Sequence, residues 1–99
     1  MKTVRFDRYV LDSLMPDLVG HDKQPSAFIV YIHLWTRLIT SRARRIRVSH
    51  QTIADATGLS KSAVQAAIRN LIRRKLLRSK LEFKTAVPEY TLLKPWRER

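Results

Sequence analysis

Lys61, Ser62, Gln65 and Arg69 are side chains of the kind that address nucleic acid. Glutamine offers adenine a donor and an acceptor together, and arginine does the same for guanine or holds a phosphate. Lysine and serine beside a helix N-terminus suit phosphate oxygens. If the segment is helical, these four residues lie within about two turns on one outward face. Ser49, His50 and Gln51 open the preceding stretch, where they serve either as caps and surface residues or as contacts to a polyanion. Arg73, Arg74, Arg78, Lys80 and Lys84 add further positive charge. Cations alternating along a strand cannot all point one way, so only some of these five reach phosphates.

Other chemistries have little to stand on. His21, His33 and His50 fall at no metal-ligand spacing, and no carboxylate cluster accompanies them. Asp55 is alone on its element, which leaves general acid–base pairing unsupported. Gly20 and Gly58 are the only glycines, too few for a phosphate-cradling loop. The absence of cysteine removes disulfides and thiolate ligands. No catalytic residue, metal or cofactor is therefore expected.

The elements that must position the polar residues can be read from the pattern. Ser49 caps a short helix over 50–57, and Gly58 ends it, because only glycine enters the left-handed region without steric cost. Leu59 is an apolar plug, and Ser60 caps a second helix. Val64, Ala67, Ile68 and Leu71 give that helix one buried stripe at i, i+3, i+4 and i+7. A glycine turn between two helices, with a basic outward face on the second, predicts a helix-turn-helix.

Ser26 to about Ser41 predicts a long helix, capped by Ser26 and apolar nearly all round, which must be covered on more than one side. Tyr31 and Trp35, at i and i+4, are expected in the core or at a dimer seam before a ligand pocket. Arg42, Arg44 and Arg45 close the helix with cations. Arg45 to Ser49 alternates and predicts a strand with Ile46 and Val48 inward. Leu77, Ser79, Leu81 and Phe83 alternate with charged residues, and Tyr90 to Lys94 is the expected partner strand. Pro95 to Arg99 is expected as a tail with Trp96 packed back onto the domain.

Upstream, Phe6, Val10, Leu14 and Leu18 form an amphipathic stripe that Leu11 and Met15 widen. Asp7 is its expected cap and Pro16 its expected end. Residues 1–22 are thus expected as an N-terminal amphipathic extension and residues 23–99 as the DNA-binding domain. The expected fold is mainly α with a small antiparallel β wing, in the order helix–strand–helix–helix–strand–strand.

The segment Ser49 to Leu77 resembles the DNA-binding half of winged helix-turn-helix regulators of the GntR and MarR type. Ala54, Gly58 and Val64 match the small residue, turn glycine and buried β-branched residue of that signature. Ser60-Lys61-Ser62-Ala63-Val64 resembles the Ser-Arg-Ser-Thr-Val opening of GntR recognition helices. Two residues depart from the pattern. Gln65 stands where those proteins often carry a base-reading arginine, and Lys75 stands where a helix-ending glycine is usual. The resemblance implies that Ser49, His50 and Gln51 lie against the DNA backbone.

Charge points to the same class of partner. The 99 residues carry a net charge of +12. Residues 1–41 hold five Lys/Arg against four Asp/Glu, and residues 42–99 hold fifteen against four. An excess placed so unevenly fits a polyanion. No run reaches the length of a transmembrane helix and no signal-peptide core appears, so a cytoplasmic, nucleoid-associated location is expected. The expected function is sequence-specific binding of double-stranded DNA by a small transcriptional regulator. The alternatives are a replication-initiator or partition module, and a winged-helix protein-interaction domain. A homodimer is expected, joined through Phe28, Tyr31, Ile32, Trp35 and the N-terminal element.

Overall fold

The computed structural model of the protein describes residues 2–84 and 86–97. Pro25 opens the longest helix, α1 (Pro25–Ser41), since proline at the first helical position lacks an N–H that would be unpaired anyway. Ser26, expected as the cap, falls inside the first turn instead, and Gln24 takes the cap position without a side-chain bond. Arg42 ends α1 in the left-handed region at φ 55°. There the Ala43 N–H donates to the Leu38 carbonyl at 3.1 Å, which satisfies a terminal carbonyl in the manner of a Schellman motif.

Two more helices, α2 (His50–Thr57) and α3 (Lys61–Arg73), follow a short strand β1 (Arg45–Arg47). Strands β2 (Leu77–Lys80) and β3 (Glu89–Leu92) complete a three-stranded antiparallel sheet in the order β1-β3-β2. Tyr90 is central: it opposes Ile46 on one side and Ser79 on the other, and it is buried. The protein is therefore mainly helical with a small antiparallel sheet, and its elements come in the expected order.

The strands are shorter than the alternation predicts. β2 stops at Lys80, leaving Leu81 and Phe83 at 51% and 61% exposure. Glu82 leaves the ladder to accept a 2.6 Å hydrogen bond from Arg47, and the Ala86 N–H closes a turn on the Phe83 carbonyl at 2.9 Å. The partner strand begins at Glu89 and ends at Leu92, whereas Tyr90 to Lys94 was expected.

The N-terminal segment departs most from expectation. It winds as two π-helical stretches, Val10–Leu14 and Pro16–His21, with i→i+5 bonds such as Asp22 N–H to the Asp17 carbonyl at 2.8 Å. Pro16 does not end the segment; Met15 before it stays helical at φ −59°, and Pro16 begins the second stretch. Val10, Leu14 and Leu18 point into the same core as α1 and α3, while Leu11 and Met15 face outward and do not widen the buried stripe. Asp7 does not cap with its side chain. Its carboxylate accepts instead from the Trp96 indole at 2.8 Å and from Arg97, which lies in a short 3-10 turn, Pro95–Arg97. Trp96 is thus packed back as expected, while Glu98 and Arg99 of the expected tail lie outside the described residues.

This clasp decides what covers α1. The Trp35 indole N–H donates to the Arg5 carbonyl at 2.8 Å, and the Phe6 ring sits 5.5 Å from the Trp35 ring. The Tyr31 hydroxyl donates to the Leu93 carbonyl at 2.9 Å, and burial raises its pKa. Phe28, Tyr31 and Trp35 are buried and Ile32 half-buried within a single chain. The residues expected at a dimer seam are thus covered within one chain, the N-terminal segment and the C-terminal turn packing on the Trp35 side of α1, while Leu11, Met15 and Val19 of the N-terminal element stay exposed. No helix among the described residues is long and apolar enough to cross a membrane.

Candidate nucleic-acid interface

Two serine caps and one glycine fix the geometry of α2 and α3. The Ser49 Oγ accepts from the Thr52 N–H at 3.1 Å, and the Ser60 Oγ accepts from the Ala63 N–H at 3.1 Å. Between them Gly58 holds φ 80°, its N–H donating to the Ala54 carbonyl at 2.9 Å. Val64, Ala67, Ile68 and Leu71 are buried, as the stripe predicts, and α3 packs against α1 through them. The opposite face of α3 is thereby forced outward. Lys61, Ser62 and Arg69 are exposed there and Gln65 is half-buried. α3 carries no Asp or Glu.

Five of the sequence-predicted residues converge on one groove of about 350 Å³. Ser49, His50, Gln51 and Lys61 form one wall and floor. Lys84 and the apolar Leu81, Ala86, Val87 and Pro88 of the β2–β3 connection form the other. The Lys61 and Lys84 ammonium groups are both exposed and neither is in an ion pair among the described residues. Arg69 and Arg73 line a separate recess along α3 with Gln24, Ala66 and Asn70.

Not every expected contact is free to make one. Ser49 is spent on its cap, and the Gln51 amide donates to Asp55 Oδ1 at 2.8 Å. His50 Nε2 lies 3.1 Å from the Tyr90 hydroxyl. Burial, with the nearby Lys61 charge second, lowers the His50 pKa, so the ring is neutral near pH 7. His50 thus ties the groove to the core through Tyr90, while Ser49 and Gln51 bond within α2 at its surface. Arg73 donates to Asn70 Oδ1. Arg74, counted among the cations that could reach phosphates, is held by Asp22 at 2.8 Å and by Asp17 at 3.9 Å. Arg78 and Lys80 are exposed on β2.

The acids nearest the basic face are themselves engaged. Glu82 is paired to Arg47, and Glu89 lies 3.9 Å from Arg45 and 3.8 Å from Arg47. Sequence inspection missed the structural role of Asn70, a buried polar residue that bonds Asp22 at 3.3 Å and receives Arg73. It also missed Leu81 and Val87 as groove-lining residues, because strand alternation gave Leu81 an inward place. Comparison with models of known protein families, with curated proteins and with solved structures finds no match.

Proposed function

We propose that the chain binds double-stranded DNA as a winged helix-turn-helix, with α2 and α3 as the two helices and the β2–β3 hairpin as the wing. The observation that carries this is the outward face of α3: Lys61, Ser62, Gln65 and Arg69 on a helix free of carboxylates, with Lys61 facing Lys84 across a groove. In this proposal α3 enters the major groove with Gln65 toward a base edge. Lys61 and Lys84 hold phosphates, and Leu81 and Val87 pack against sugar. Arg69, Arg78 and Lys80 extend the contact along the backbone.

The mechanism is occupancy of a site, and the biological setting is control of transcription, in the cytoplasm and on the nucleoid. A replication-initiator module would use the same surface, so it is the second functional setting of one binding mode. One chain per site is the proposed stoichiometry, because the side of α1 expected to pair is covered from within.

Alanine substitution separates base readers from phosphate holders. Against a sequence selected from a random duplex pool, Gln65→Ala loses roughly 1–3 kcal/mol on the selected site and nothing on unrelated duplexes. Lys61→Ala weakens both alike. Equal, sequence-independent losses from the two variants would remove Gln65 from base reading, and no loss from either would remove α3 from the interface.

A further inference from the structure

A cavity of about 500 Å³ shares no lining residue with the groove beside Lys61. It opens between the end of α1, the link from α1 to β1, and the central strand β3 with the residues that follow it. Ile39, exposed, and Leu92, half-buried, supply an apolar wall over buried Trp35 and Leu38, with Ala43 and the cations Arg44 and Lys94 also lining it. That volume falls within the range of small-molecule sites.

Charge at this cavity is unbalanced. The Lys94 Nζ sits over the Trp35 ring at 4.3 Å from its centroid, and the Arg97 guanidinium lies 5.8 Å from the same centroid. Among the described residues Asp7 is the carboxylate near them, and its oxygens already accept from Arg97 at 2.6 and 2.7 Å and from Trp96 at 2.8 Å. Neither Lys94 nor Arg44 is in an ion pair among the described residues. Half-buried Lys94 is thus an ammonium that shares an aromatic face with a guanidinium and has no salt-bridge partner among the described residues. Its pKa is lowered first by burial and then by Arg97.

We infer that this cavity is a binding site for a small amphipathic carboxylate, its apolar body against Ile39 and Leu92 and its anionic head toward Lys94 and Arg44. A neutral apolar ligand would leave the two cations as they are. A dianion with no apolar part would leave the wall wet. The carboxylate satisfies both halves of the site, because charge-assisted hydrogen bonds are the stronger ones and the wall supplies area to bury. The inference is independent of DNA binding.

The test compares phenylacetate with phenylacetamide, which match in shape and differ in charge. Amide chemical-shift titrations of the full chain locate the binding and give the affinity. The expected result is that shifts gather at Ala43, Thr91 and Leu92, with the acid about tenfold or more tighter than the amide. Lys94→Met should abolish that preference, and Lys61→Ala should leave it intact. Should Lys94→Met fail to fold, Ala43→Phe fills the exposed rim without touching a charge and should block both probes. Equal affinity for acid and amide, full preference retained in Lys94→Met, full binding in Ala43→Phe, or shifts confined to Lys61 and Ser62 would each overturn the inference.

Discussion

The Asp7 carboxylate accepts two hydrogen bonds from the Arg97 guanidinium, at 2.6 and 2.7 Å, joining residues 90 positions apart. That pair, with the Trp96 indole on the same carboxylate, folds the C-terminal turn over the N-terminal segment and seals Trp35 beneath both. It covers the Tyr31–Trp35 side of α1 from within the chain, while Ile29 and Ile39 stay exposed on the same helix.

Asp7→Asn should therefore loosen both chain ends together. The Arg97 hydrogen bond is the largest influence on Asp7 and lowers its pKa to about 2. A folded pKa below the unfolded one means that the contribution is full above about pH 4 and is lost as pH falls toward 2. Because Arg97 is half exposed, solvent screening limits the expected loss at pH 7 to about 1 kcal/mol. Denaturant melts at pH 7 and pH 2.5 check it: the variant and the parent should differ at the first and converge at the second.

His33 presents the opposite situation. Its Nε2 is buried and has no hydrogen-bond partner. Burial, and secondarily Arg37, lowers its pKa. A depressed histidine pKa makes the unfolded chain bind more protons, so stability falls as pH drops below about 6.5. His50 adds to the same trend. His33→Leu removes an unsatisfied polar atom and should stabilise by about 1 kcal/mol at pH 7, with a larger gain at pH 5.5. Thermal melts across that range read both effects.

Lys75 lies in the left-handed region, as do Lys23 and Arg42. It holds φ 59° at the end of α3, where the Leu76 N–H donates to the Leu71 carbonyl at 2.9 Å. A left-handed lysine carries roughly 1–2 kcal/mol of strain. Lys75→Gly should raise stability by about 0.5–1 kcal/mol, the gain being trimmed by the flexibility glycine adds to the unfolded chain. Chemical denaturation measures it directly, and a loss of stability would contradict the strain argument.

Local rules made much of this legible in advance. Ser49, Gly58 and Ser60 announce α2, its turn and α3 because each acts on backbone within three residues of itself. The position of Lys75 was visible for the same reason. What sequence did not disclose depends on partners far along the chain. Asp7 reads as a cap until Trp96 and Arg97 claim it. The Phe28–Trp35 side reads as a dimer seam until Arg5 and Phe6 lie across it. Strand alternation through Phe83 did not hold: β2 ends at Lys80, Glu82 pairs with Arg47, and Phe83 enters the turn closed by the Ala86 N–H. Within the candidate site, Lys61, Ser62, Gln65 and Arg69 follow from one helical period, whereas His50 turned inward to Tyr90 through a contact 40 positions away.

The covered side of α1 also predicts association state. Sedimentation equilibrium at micromolar concentration should return a single species of 11.6 kDa. A stable dimer that Tyr31 or Trp35 substitutions dissociate would contradict the intramolecular seal.

Duplex binding through the α3 face and the hairpin is tested most directly by its salt dependence. If Lys61, Arg69, Arg78, Lys80 and Lys84 together neutralise about five phosphates, log K should fall against log salt with a slope of about −4 to −5, at about −0.9 per phosphate. Fluorescence anisotropy on a labelled duplex between low and physiological salt gives that slope. A steep fall that Lys61→Ala reduces by about one unit is the predicted result, and a slope near zero would contradict DNA binding by this face.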